Sequence, residues 1–114
     1  MKNQDFWVYI LLCENNRLYT GYTNNLQKRY LSHLNGTGRC KFTRSFKPLA
    51  MARCWLIEGD KATAMAAERF IKQLSRQQKN TLIRSPSRLK KHCAATTVSK
   101  RKIQQLLTTT PHTD

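Results

Sequence analysis

Hydrophobic residues recur along this chain in two rhythms. Phe6-Trp7-Val8-Tyr9-Ile10-Leu11-Leu12-Cys13 is an unbroken apolar run, rich in β-branched and aromatic residues, with the length of a buried strand. Glu14-Asn15-Asn16-Arg17 supplies turn chemistry, and Leu18-Tyr19-Thr20-Gly21-Tyr22 reads as a second strand, so the two form a hairpin. The rhythm then lengthens. Leu26, Tyr30 and Leu34 recur every four residues, which predicts a helix over about 24–35, with Thr23 as its N-cap and Gly36 as its stop. Arg29 and His33 fall four apart on a face beside that apolar stripe.

Between Gly36 and Pro48 the pattern dissolves into a loop, where Arg39, Lys41, Arg44 and Lys47 are interleaved with Phe42 and Phe46. Leu49 to Glu58 reads as a third strand. Asp60 caps a helix whose inner face is Ala64, Ala67, Ile71 and Leu74. Ser75 and Gln78 match a capping box, so a further short helix follows to about Ile83. Ser85-Pro86-Ser87 then breaks the pattern, and Lys, Arg, Thr and Ser take over. The expected architecture is a small α/β (α+β) domain, a three-stranded antiparallel sheet flanked by helices, over 1–84. Residues 85–114 read as a basic, flexible C-terminal tail with one helix around Ser99 to Leu107.

Charge changes the picture more than size does. The chain has 114 residues, 21 Lys and Arg against 6 Asp and Glu, and a formal charge of +15. Its natural partner is a polyanion, nucleic acid ahead of an anionic membrane surface. No apolar run is long enough for a spanning helix, and no long helix sets aromatic residues opposite lysines, so no membrane partner is expected. With only Asp5, Glu14, Glu58, Asp60, Glu68 and Asp114 available, a two-metal site built from many carboxylates is excluded, while one ion on one carboxylate is not. Cys13, Cys40, Cys54 and Cys93 form no Cys-x-x-Cys pair, which argues against a zinc finger or redox motif. Free thiols and the lack of an export signal fit a reducing compartment, the bacterial cytosol or nucleoid.

Chemistry concentrates on a few positions. Tyr9 and Tyr19 lie on neighbouring strands, Gly21 follows the second, Arg29 and His33 lie on the next helix, and Glu68 borders the buried stripe of a later one. Together with Trp7-Val8-Tyr9, Tyr19-Thr20-Gly21 and Gly36-Thr37-Gly38-Arg39-Cys40-Lys41-Phe42-Thr43-Arg44, this ordered set resembles the GIY-YIG nuclease domain, and closely its small single-domain YhbQ-type bacterial branch. The resemblance covers about residues 6 to 83. Two positions depart from it. Trp7 stands where the first motif opens with glycine, and Tyr22 stands where excision-repair members carry lysine.

The resemblance implies metal-dependent endonuclease activity on DNA, structure-selective and linked to repair or recombination. It assigns the metal, one Mg²⁺ or Mn²⁺, to Glu68, the phosphate contact to Arg29, the attacking water to Tyr9 and Tyr19, and a supporting role to His33. Arg39, Lys41, Phe42, Arg44 and Lys47 are the candidate nucleic-acid contacts, with Phe42 as the base-stacking residue. Physical chemistry adds one demand. A free tyrosine, pKa about 10, is ionised about once in a thousand at pH 7, so a tyrosinate base needs about 4 kcal/mol of help from a cation or from Arg29. Plainer readings stand beside these: Tyr9 as core, Arg29 and His33 as a solvated helix face, Glu68 as the partner of Lys72. A non-catalytic nucleic-acid-binding protein that keeps the nuclease fold is the alternative function. The substrate and the oligomeric state are not legible in the sequence.

Overall fold

The computed structural model describes residues 5–108; residues 1–4 and 109–114, the outer ends of the two expected segments, lie outside the described residues. Strands β1 (Phe6–Cys13), β2 (Arg17–Thr23), β3 (Pro48–Ile57) and β4 (Ala95–Thr97) form one antiparallel sheet in the order β2-β1-β3-β4. Helices α1 (Leu26–Asn35), α2 (Lys41–Ser45), α3 (Lys61–Lys72), α4 (Arg76–Arg84) and α5 (Lys100–Thr108) flank it. The α/β class expected from the sequence is present, with one more strand than expected.

The continuous apolar run of β1 is explained by its place next to the middle of the sheet. Val8 and Ile10 face a core with Trp55, Ile57, Ala64, Ala67, Ile71, Leu82 and Leu89, the side covered by α3 and α4. Tyr9, Leu11 and Cys13 face the opposite core with Leu26, Cys54, Val98 and Ile103, the side covered by α1 and α5. Both faces of one strand are therefore buried, and alternation disappears. The β1–β3 register slips between Ile10 and Leu11, where Ala52 is passed over in the pairing.

Caps behave largely as the sequence suggests. Asp60 accepts from Thr63 N, Ser75 and Gln78 close a capping box, and Gly36 ends α1 with φ +67°. Thr23 is a correction. It ends β2, and Asn25 caps α1 by accepting from Lys28 N, while Thr23 Oγ1 accepts from Asn25 N. The basic loop is a second correction, since its Lys41–Ser45 stretch is helical.

The third correction is the tail. The core does not end at Arg84. Leu89 is completely buried, Ala95, Val98 and Ile103 are buried, β4 pairs with the end of β3, and α5 packs on α1 and β3. Two internal side chains hold this segment. Trp55 Nε1 donates to Pro86 O at 2.9 Å, and Arg53 donates to Ile83 O at 2.9 Å and to Val98 O at 3.3 Å. Four sparse apolar residues at long spacing suffice because each plugs an existing core, so composition alone understates the order of this stretch. Among the described residues no helix is long and apolar enough to cross a membrane.

Candidate active site

The hairpin register sets the first contact. Tyr9 pairs with Gly21 and Leu11 with Tyr19, so the two tyrosine rings lie on one face of adjacent strands, centroids 6.3 Å apart. The Tyr9 ring passes directly over Gly21. A Cβ there would lie 2.5 Å from the Tyr9 hydroxyl oxygen and 2.7 Å from Cζ. The glycine is required for space, and its neighbour across the strands is the reason.

Helix α1 brings His33 onto this pair. Its ring is buried, 5.7 Å from that of Tyr9 and 5.0 Å from that of Tyr19. The hydrogen bonds form a directed chain. Thr43 Oγ1 donates to Cys40 O at 3.2 Å, so toward His33 Nδ1, at 2.8 Å, it acts as acceptor. Nδ1 therefore carries the proton, Nε2 is the acceptor, and the Tyr9 hydroxyl donates to Nε2 at 2.8 Å. Among the described residues no buried side-chain polar atom is left unpaired.

Electrostatics agree with this assignment. Burial and the positive charge of Arg29 push the His33 imidazole down to about 4, so it is neutral at pH 7. Burial, then the neighbouring Tyr19, hold the Tyr9 phenol well above the ordinary tyrosine range, against the pull of Arg29, which hydrogen-bonds it. Arg29 alone therefore does not supply the help that a tyrosinate needs, and Tyr9 keeps its proton beside it. Arg29 is braced by one fork nitrogen donating to Arg39 O at 3.3 Å.

From Tyr19 an aromatic ladder runs outward. Phe42 lies 5.4 Å from Tyr19, Phe46 lies 5.1 Å from Phe42, and the Arg17 guanidinium lies 4.8 Å over the Phe46 ring. Phe42 is thus half-buried in a wall beside the site. Arg39, Lys41, Arg44 and Lys47 are exposed, and Arg44 also braces the loop by donating to Gly36 O and Gly38 O.

Residues 5–82 match the family described as the GIY-YIG catalytic domain, more than half of the chain. The chain belongs to the GIY-YIG family. It is similar to a UPF0213 protein of Bacillus velezensis, 41% identical over 90 residues, which span 79% of this chain and 89% of that one. It is similar also to a UPF0213 protein of Clostridium perfringens, 46% identical over 81 residues, 71% of this chain and 85% of that one. A solution NMR structure of a UPF0213 protein from Bacillus halodurans aligns at 30% identity and a TM-score of 0.49, over 93% of this chain and 99% of that one. The GIY-YIG domain is of the nuclease superfamily.

In this GIY-YIG domain the five expected catalytic residues divide into four and one. Tyr9, Tyr19, Arg29 and His33 form one cluster. Glu68 stands apart, on α3, whose inner residues pack on the other face of the sheet. It is linked to the cluster through Lys72, whose Nζ lies 3.7 Å from Glu68 Oε2 and 6.0 Å from the Tyr19 ring centre beside edge strand β2. Those two legs hold the carboxylate within about 10 Å of that ring.

Among the described residues no group of three or more His, Cys, Asp or Glu could hold a metal. One carboxylate, one-fifth exposed, is a hard-oxygen donor. It fits a single Mg²⁺ or Mn²⁺ that keeps most of its water, once Lys72 moves off.

Sequence reasoning missed Thr43 and the Cys40 carbonyl, the far end of the His33 chain. The available signal was the three-residue offset from Cys40 to Thr43, at which a threonine hydroxyl can reach back to a carbonyl within one turn.

Proposed function

We propose that this chain is a metal-dependent endonuclease that hydrolyses phosphodiester bonds in DNA, selecting its target by structure and acting in repair or recombination. The observation that carries this reading is the buried Tyr9–His33–Thr43 chain set beside Arg29. A core tyrosine needs only one hydrogen-bond partner. A core does not need a neutral histidine with its tautomer fixed from behind and a guanidinium in front.

The roles follow from proton positions. Tyr9 oxygen, its own proton donated to His33 Nε2, presents lone pairs to the attacking water. As the water proton reaches Tyr9, the Tyr9 proton passes to Nε2, so no free tyrosinate forms. The resulting imidazolium keeps Nδ1–H on Thr43. Burial is the larger cause of the low basicity of His33, and a substrate phosphate on Arg29 offsets the smaller one, the guanidinium charge. Arg29 holds two phosphate oxygens with its planar fork and stabilises charge that grows in the transition state. A divalent cation on Glu68 adds Lewis-acid stabilisation of the same charge. The Lys72–Glu68 ion pair is the observation that favours the alternative, a nucleic-acid-binding protein without turnover, because it occupies the metal's carboxylate.

The test uses end-labelled duplex, flap, branched and single-stranded DNA with Mg²⁺ or with EDTA. Wild type cuts at least one substrate with Mg²⁺ alone. Arg29→Ala and Glu68→Gln each lower the rate by about 10²–10³ with binding largely kept, since affinity is spread over many cations. Binding without metal-dependent cleavage of any substrate selects the alternative.

A further inference from the structure

Away from the tyrosine cluster, the flank of α3 opposite Glu68 and Lys72 borders a groove of about 450 Å³ between α3, α4 and the turn over Pro86–Lys91. Its apolar lining is Phe70, Leu74 and Leu82; Gln77, Gln78, Thr81, Arg88, Lys91 and His92 complete it. Phe70 and His92 stack face to face, centroids 4.2 Å apart at 29°. The wall is a fixed one. Leu89 is completely buried beneath it, His92 N donates to Leu89 O, and Trp55 holds Pro86 O.

Two features of the groove point to the same ligand. Arg88 and Lys91 are exposed, no carboxylate lines the groove, and the single ion pair among the described residues is Lys72–Glu68, so their charge is uncompensated. The exposed His92 is the outer member of a stacked aromatic pair above an apolar floor. Phosphate beside a flat heteroaromatic ring is the chemistry of a nucleotide. We infer that this groove holds an unpaired nucleotide of a single-stranded flank of the substrate, with its base on the Phe70–His92 stack and its phosphate on Arg88 and Lys91. A base inside a duplex cannot offer its face to a side chain, so the groove selects strands that are already open. A helix with side chains is about 10–12 Å across, so α3 separates the groove from Glu68 by about that width. This inference deepens the nucleic-acid reading above, and it needs no cleavage.

The test measures binding of the full chain in EDTA by fluorescence anisotropy, with a labelled single-stranded 12-mer, the same 12-mer as a duplex, and adenosine monophosphate as a competitor. His92→Ala weakens the single strand by about fivefold or more, His92→Tyr restores it, and neither change moves duplex affinity. The double change Arg88→Ser and Lys91→Ser lowers the single-strand salt slope by about 1.4, two phosphates' worth. All three side chains are exposed, and a thermal melt checks that each variant folds. Unchanged single-strand binding in His92→Ala overturns the inference. Equal losses on duplex and single strand overturn it too, because they mark a backbone contact without stacking. Monophosphate competition at the oligonucleotide's own affinity, abolished by the same variants, assigns the groove to a free nucleotide and overturns the strand reading. Wild type that binds no oligonucleotide defeats the nucleic-acid reading itself, a result distinct from variants that leave binding untouched.

Discussion

Tyr9 and Gly21 show how one missing atom positions a site. The tyrosine hydroxyl occupies the volume that a methyl group at position 21 would need. Because Tyr9 is buried on every other side, its ring has nowhere to retreat. Gly21→Ala is expected to cost about 1–3 kcal/mol of stability by overpacking, measured by urea denaturation. It should cost more in rate, since a displacement of about 1 Å at a reacting group is worth about 10²-fold. Full activity in Gly21→Ala would show that the Tyr9 position is not critical. His33 gives a second prediction, in stability. Its imidazole sits at about 4 in the fold against an ordinary 6.5. The unfolded chain therefore binds more protons between those values, so stability is full above about 6.5 and falls as pH drops toward 4. The loss is on the order of 2 kcal/mol by pH 5. In urea titrations at pH 7 and pH 5, His33→Gln should remove most of that difference; an equal pH dependence in both proteins would place the titration elsewhere.

At the scale of elements, the hairpin, α3 and α4 were legible because each carries a complete local signature. These are an apolar run with turn residues, an Asp60 cap with Ala64, Ala67 and Ile71 at helical spacing, and a capping box. Helix α2 was not, since five residues give too short a pattern to show a period. β4 was not, because a three-residue edge strand takes its structure from the partner it pairs with, here the end of β3. The candidate site was legible as a list of residue types and spacings, but its wiring was not, as Thr43 joins it only through the fold of the basic loop. The built-in C-terminal segment yields a prediction at this scale. A chain ending at Arg84 loses the buried Leu89, Ala95, Val98 and Ile103 and strips Trp55 Nε1 of its acceptor. Each large apolar side chain is worth about 1.5–3 kcal/mol, so the sum approaches the whole stability of a small domain, about 5–15 kcal/mol. Circular dichroism should show no cooperative melt for that chain. A transition matching the full-length midpoint would mean that the segment is an ornament on a self-sufficient core.

Across the whole molecule, a charge of +15 is set around a site with one carboxylate at its edge. Affinity and chemistry are thereby separated. Many exposed cations, Arg39, Lys41, Arg44 and Lys47 among them, are proposed to hold the polyanion, and a handful of buried and half-buried groups are proposed to act on one phosphate. The proposed mechanism depends on the Tyr9 hydroxyl, which bonds His33 Nε2 and is proposed to pass the proton of the water to it. The direct measurement is the single-turnover cleavage rate of Tyr9→Phe against wild type, with Mg²⁺ and saturating DNA. The variant keeps the ring over Gly21 and removes one oxygen. The account predicts a rate lower by about 10²–10⁴ at unchanged DNA affinity. A Tyr9→Phe protein that cuts at the wild-type rate would contradict it.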